Sequence, residues 1–301
     1  MKNTLAAVIL FAIFALFSTS CETDSPNEII SEPETLYIPD ENFKYTLVHT
    51  LALDLNDDGE IQRNEAELIE RLILHFDYEE ISGYVDLTGI EGFINLKYLK
   101  ITGESANKME GNLNSELISY DFTNLIKLEF LQLNNIGTNY FGSIDLSGLN
   151  NLTEANLSHN RPDYFGENIE EPLNFVNVNM DGCTNLTNLS LVNSFLKIDF
   201  CDIPSLKTLD MSYLEGGEPD PIDLHCLTKL EWLDISENYF ESLILKNSSV
   251  LATFKANDIG AAGSSNYPFL KYICIDDIQE EHDQISTLRD ENTVVVTNCT
   301  F

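Results

Sequence analysis

Positive charge is what this chain has least of. Against 50 Asp and Glu it carries 16 Lys and Arg, a formal net charge of −34 at pH 7. Nucleic acids and anionic lipid surfaces attract clustered basic side chains, so this composition argues against both as partners. Long apolar runs are scarce too. The run Leu5–Phe17 falls short of the roughly 20 residues a membrane-spanning helix needs, and no second stretch comes near that length. Catalytic signatures are missing: there is no HExxH, no GxSxG and no glycine-rich phosphate loop, and the five histidines are scattered. Acids are so common that two of them close together single nothing out, and the reading is of a protein that is not an enzyme. Apolar material is ordinary in amount, 43% hydrophobic and 10% aromatic, which separates this acidity from that of a disordered chain.

The amino terminus reads as an export signal over residues 1–20. Lys2 supplies the positive start, Leu5–Phe17 the apolar segment, and Ser18-Thr19-Ser20 the small residues before Cys21. The arrangement resembles a bacterial lipoprotein signal, although Ser18 stands where a branched apolar residue is usual. The resemblance implies lipidation of Cys21 and residence at the outer membrane or cell surface, with the lipid as the sole membrane contact; cleavage after Ser20 into a soluble secreted chain is the alternative. Residues 21–36, acidic and broken by Pro26 and Pro33, read as a flexible tether.

Residues 54–65, DLNDDGEIQRNE, fit the twelve-residue calcium loop of the EF-hand. Asp54, Asn56 and Asp58 offer hard oxygen ligands at positions 1, 3 and 5, and Gly59 allows the sharp bend at position 6. Glu60 would give its carbonyl, Gln62 a water-mediated contact, and Glu65 a bidentate carboxylate, while Ile61 turns inward. Asp40 is placed to cap a helix carrying Phe43, Leu47 and Leu51, and Ala66, Ile69 and Ile73 suggest a second helix. A single such loop predicts a structural Ca²⁺ that stitches a helix-loop-helix cap over residues 37–80. A weak extracellular-type site, on the order of 10⁻⁴ to 10⁻³ M, suffices for that role.

A short motif then recurs: apolar, two variable residues, apolar, one variable residue, apolar. Copies lead from Leu96, Leu128, Leu152, Leu186, Leu206, Leu230, Leu251 and Leu270, spaced 19 to 34 residues apart with a base period of 19 to 24. A weaker copy is Ile69, Leu72 and Leu74. Before most leading leucines lies a second alternating pattern with Asp or Asn between apolar residues, as in Ile144-Asp145-Leu146 and Ile222-Asp223-Leu224. This predicts an α/β-type repeat solenoid of short, mostly parallel strands in which neighbouring coils bury each other's apolar faces. The repeats span 81–273, and 274–301 close the far end. The pattern resembles the right-handed leucine-rich-repeat solenoid; with the calcium-loop cap it resembles surface lipoproteins of the Bacteroidetes type. Asn160 and Asn238 occupy the family's hydrogen-bonded asparagine position, eight residues after the leading leucine; most other copies replace it, which predicts irregular turns.

Cys183 stands in for an apolar residue of the stacking pattern, and Cys201 and Cys226 sit at neighbouring offsets, so all three read as buried free thiols. Cys274 and Cys299, both in the closing stretch of an exported chain, are expected to form a disulfide that contributes ~3 kcal/mol. The variable strand residues should face outward onto a concave face. Among them, Tyr98, Phe130, Trp232 and Tyr272 share one offset, with Asn156, Asp210 and Asp234 beside them. Such a surface suits recognition of an extracellular protein or glycan. Tyr140-Phe141 and Tyr164-Phe165 read as loop anchors instead. A glycan-processing accessory protein or hydrolase using Asp210 and Asp234 is the alternative function.

Overall fold

The computed structural model describes residues 34–76, 84–103, 115–137, 143–160, 176–214, 221–238, 240–257, 270–288 and 293–300. The expected signal, Cys21, the tether up to residue 33 and the Tyr140, Phe141, Tyr164 and Phe165 anchors lie outside the described residues.

Two-residue alternation turns into strands with one face wet and one face dry. Arg71–Phe76 alternates exposed and buried along its whole length, with Leu72, Leu74 and Phe76 inward. It starts an eight-stranded parallel sheet that continues, in chain order, through Tyr98–Gly103, Phe130–Asn134, Glu154–Asn156, Asn188–Ser190, Thr208–Asp210, Trp232–Asp234 and Thr253–Lys255. The register is unbroken: Leu99 faces Leu131, Leu131 faces Ala155, and Leu209 faces Leu233. Repeat packing thus begins at residue 71, within the segment expected to form the cap. The apolar-Asp-apolar pattern forms the opposite strip, split into sheets of three, three and four strands. Every leading leucine is buried, as are Phe93, Leu125, Leu149, Cys183, Ile203 and Leu227, each three residues before one of them, so the interior fills from strip to strip. The chain folds as a leucine-rich-repeat solenoid.

Backbone groups between coils are satisfied by their neighbours. The carbonyl of Glu129 accepts from Thr153 and Glu154, that of Thr153 from Thr187 and Asn188, and that of Lys207 from Glu231 and Trp232. Asn160 and Asn238 do the same through side chains. Asn238 is fully buried; its Nδ2 donates to the carbonyls of Met211 and Ile235, and its Oδ1 accepts from Leu214 N at 2.7 Å. Asn160 repeats this with Leu133, Leu157 and Ile136. In the first of the two coils between them, Ser194 takes the place, donating to the Leu157 carbonyl and accepting from Asn160 N. The residue just before this position is left-handed in successive coils: Asn135, His159, Asn193, Tyr213 and Glu237 all have φ between 53° and 62°. The turns are therefore more regular than loss of the asparagine predicts, because backbone conformation persists where the side chain changes.

Both ends are closed. At the first, Leu36, Ile38, Phe43, Leu47, Val48, Ile61 and Ala66 join the core. Asp40 caps Glu41–Tyr45 by accepting from Asn42 N and Phe43 N, and a π-helical turn, Thr46–Thr50, follows. The second helix is only one turn, Arg63–Ala66, since the chain must extend at Arg71 to join the sheet; Ile73, expected on that helix, points to solvent from a strand. At the other end, Gln279–Leu288 stands where a further main strand would come, followed by Val294–Val296 on the opposite strip. Its Ile285 is buried and Gln284 Nε2 donates to the Leu251 carbonyl. Among the described residues no helix is long and apolar enough to cross a membrane.

Candidate functional site

The outward face of the eight-stranded sheet carries most of the residues expected to meet a ligand. In-register pairing sets Arg71, Tyr98 and Phe130 side by side on its first three strands. The Tyr98 and Phe130 rings stack with centroids 4.3 Å apart and planes within 3°, and the Arg71 guanidinium lies 3.5 Å above the Tyr98 ring. At the far end of the sheet, Lys255 Nζ on the eighth strand lies 4.8 Å from the Trp232 ring and 3.4 Å from Asp234 Oδ2 on the seventh. All three aromatics are half-buried, so flat ring surface is offered without leaving the rings unsupported.

The neighbouring acids and amide do something else first. Asp210 Oδ1 accepts from Ser212 N and Ser212 Oγ, Asp234 Oδ1 from Ser236 N, and Asn156 Oδ1 from Ser158 N. Each caps the turn that leaves its own strand. Asp234 is 9% exposed. Tyr272 does not belong to the row. Its strand, Tyr272–Cys274, pairs with Ser242–Ile244 and Val294–Val296 on the opposite strip, because a coil completed by Thr253–Lys255 must next supply that strip. The apolar spacing is the same in both strips, which is why Leu270 reads as an eighth leading leucine.

The loop 54–65 is drawn in by its own carboxylates. Gly59, with φ of +83°, donates N–H to Asp54 Oδ2, Asp58 N donates to Asn56 Oδ1, and Glu60 N donates to Asp58 Oδ1. That Glu60 bond, with those from Gln62 and Asn56, holds the Asp58 carboxyl below the usual carboxylate range. Glu65 is buried and accepts from Leu55 N at 2.7 Å and Gln62 N at 2.9 Å, tying the ends of the loop together. Lys44 pairs with the Glu60 carboxylate, leaving that residue's carbonyl as its contribution to an ion. Ile61 is fully buried and its carbonyl accepts from Leu36 N. Asp54, Asn56, Asp58 and Glu65 form an oxygen-only donor set of three formal negative charges, which suits a hard divalent cation, although these acids are turned to loop N–H groups and not gathered on one point.

Cysteine chemistry differs from expectation in one pair. Cys274–Cys299 is bridged, and Cys183 is a buried free thiol, its Sγ 3.2 Å from the Leu146 carbonyl and its pKa pushed up to about 11, chiefly by burial. Cys201 and Cys226, expected to be buried thiols, are bridged to each other. They sit five and four residues before their leading leucines, where Cys183 sits three before; that offset turns both outward between adjacent coils. His225 lies against the bridge, and its ring nitrogen and the two sulfurs fall within 4.8 Å of one another. With the sulfurs bonded together this is a disulfide beside an imidazole and not a set of three free ligands. A cavity of about 280 Å³ opens nearby, lined by Leu196, Ile198, Met211, Ile222 and Asp223.

No family model matches the sequence, and neither does any curated protein. Solved structures of similar architecture include an internalin from Listeria monocytogenes, 19% identical over 86% of this chain and 76% of that one, TM-score 0.39. Internalin C2 of the same organism is 17% identical over 81% of this chain and all of the other, TM-score 0.34. TLR13 in complex with a single-stranded RNA is 18% identical over 80% and 39%, TM-score 0.34. The fold assignment rests on this chain's own strand pairing.

Proposed function

We propose that this chain is a non-enzymatic binding protein of the cell exterior, which recognises a protein or glycan through the outward face of its eight-stranded sheet. The observation that carries the reading is the Arg71–Tyr98–Phe130 stack: aromatic surface held flat and in register on a wall that the core does not need. Stacked rings flanked by hydrogen-bonding side chains such as Gln132 and Lys100 fit a sugar ring or an aromatic-rich protein patch. Two disulfides among the described residues suit an oxidising compartment outside the cytoplasm. Anchorage through lipid on Cys21 follows from the signal's resemblance alone. A structural Ca²⁺ in loop 54–65 would use Asp54, Asn56, Asp58, the Glu60 carbonyl, Gln62 and Glu65 to fix the amino-terminal cap. Asp210 and Asp234 are committed to capping turns, so the hydrolase reading finds no free acid pair in them.

The mature chain should be tested against immobilised polysaccharides and extracellular proteins, alongside Tyr98→Ser/Phe130→Ser. Loss of capture by at least about tenfold at an unchanged melting temperature is expected, as for removal of central aromatic anchors. Capture that survives both substitutions would move recognition away from this face.

A further inference from the structure

The two bridges span equal lengths of chain, 25 residues each, and each has one half-exposed cysteine, Cys226 and Cys299; they differ in the other partner. Cys274 is fully buried in the closing lid. Cys201 is exposed, Cys226 is half-exposed, and His225 Nε2 stands 3.2 Å from Cys226 Sγ. The far side of the imidazole is held: Asp223 Oδ1 accepts from His225 N at 3.0 Å and faces Nδ1 at 2.8 Å. With Nδ1–H donating to the Asp223 carboxylate, Nε2 is the ring nitrogen left to carry a second proton, and its N–H then points at Cys226 Sγ. A more exposed cysteine to attack, a less exposed one to leave, and a positioned acid on the leaving side are the parts that directed thiol–disulfide exchange uses.

We propose that Cys201–Cys226 is an exchangeable disulfide that reacts with small thiols. A thiolate attacks Cys201 Sγ and forms a new S–S bond there. The Sγ–Sγ bond breaks, its electron pair goes to Cys226 Sγ, and the His225 Nε2 proton neutralises that thiolate. The incoming thiol is oxidised to the mixed disulfide and Cys226 is reduced, so no further oxidant is needed. His225 acts on the reacting atom, while Asp223 is a positioning residue. Charge selects the thiol. Asp199, whose Oδ1 accepts from Cys201 N, together with Asp202, Asp181 and Asp223, surrounds the bridge with acid. Among the described residues that line the adjoining cavity, Lys197 is the one cation. A cationic thiol is therefore favoured over an anionic one.

The mature chain would be incubated with cysteamine or 3-mercaptopropionate at equal thiolate concentration, quenched by alkylation and mapped by mass spectrometry. The expected result is thiol adduct on Cys201 and alkylation on Cys226, with Cys274–Cys299 intact, and cysteamine faster by roughly tenfold at low salt. His225→Asn should slow opening by at least about tenfold and erase the preference for Cys201, with no change in the melting temperature of the oxidised chain. Asp223→Asn keeps the turn-capping oxygen and should give an intermediate rate. Equal opening of both bridges, adduct shared between the two sulfurs, a wild-type rate in His225→Asn, or free Cys201 and Cys226 thiols in the isolated chain would each overturn the proposal.

Discussion

Asn238 shows how much of this fold a single side chain can hold. Fully buried, it serves two carbonyls of two coils and one backbone N–H of the earlier coil, groups that strands do not reach at the turn. Asn238→Ala strands Met211 O, Ile235 O and Leu214 N together, and each unsatisfied buried group costs about 1–3 kcal/mol. A loss on the order of 3 kcal/mol or more in urea unfolding is expected. A loss below about 1 kcal/mol would mean that water or neighbouring side chains replace the amide. The asparagine was visible in the sequence from its offset to the leading leucine. The duty of Asp210 and Asp234 was not, because a strand acid facing outward has the same spacing whether it awaits a ligand or bends back on the next turn. What decides is whether Ser212 N and Ser236 N lie within reach, a property of the turn's backbone that alternation does not encode.

Among the elements, the closing helix Gln279–Leu288 carries a buried acid. Glu281 accepts from Asp276 N at 2.8 Å, and burial, aided by the Asp276 charge and opposed by that bond, pushes its pKa up to about 6 from 4.5. A raised folded-state pKa means that the protonated carboxyl contributes stability fully present below pH 4.5 and lost as pH rises through about 6. Glu281→Gln keeps an oxygen for Asp276 N and cannot ionise. The variant should match the wild type in unfolding free energy below pH 4.5, then exceed it progressively up to about pH 6, with a constant gap above. A gap independent of pH would place Glu281 in water. That the leucine period stops after Leu270 was legible; that a helix, Gln279–Leu288, stands where a strand would come was not argued from the sequence. The misplacement of Tyr272 has the same root as the misreading of Cys201 and Cys226. Spacing identifies a coil, but one residue of offset decides which strip a strand joins or which way a thiol faces, and only the neighbouring coil fixes that offset.

For the molecule as a whole, the question is what offsets a net charge of −34 in a stack whose ends are the places it frays. Surface ion pairs such as Lys97 with Glu70 and Lys207 with Glu231 join adjacent coils, but exposed pairs are worth little and most acids have no cation to meet. Calcium would act in two separable ways. As part of the ion atmosphere any divalent cation relieves repulsion along the stack, so Mg²⁺ and Ca²⁺ at equal ionic strength should both raise the melting temperature. Bound in loop 54–65, Ca²⁺ would add a term set by its affinity: at 2 mM and a dissociation constant on the order of 10⁻⁴ to 10⁻³ M, about 0.6–1.8 kcal/mol. Asp54→Asn keeps an oxygen for Gly59 N while removing one of the three charges of the donor set. The excess of Ca²⁺ over Mg²⁺ should therefore vanish in Asp54→Asn while the response shared by both ions remains. If both cations stabilise the wild-type chain equally, the loop is a turn closed by its own hydrogen bonds, and the amino-terminal cap stands on Phe43, Leu47 and Ile61 without a metal.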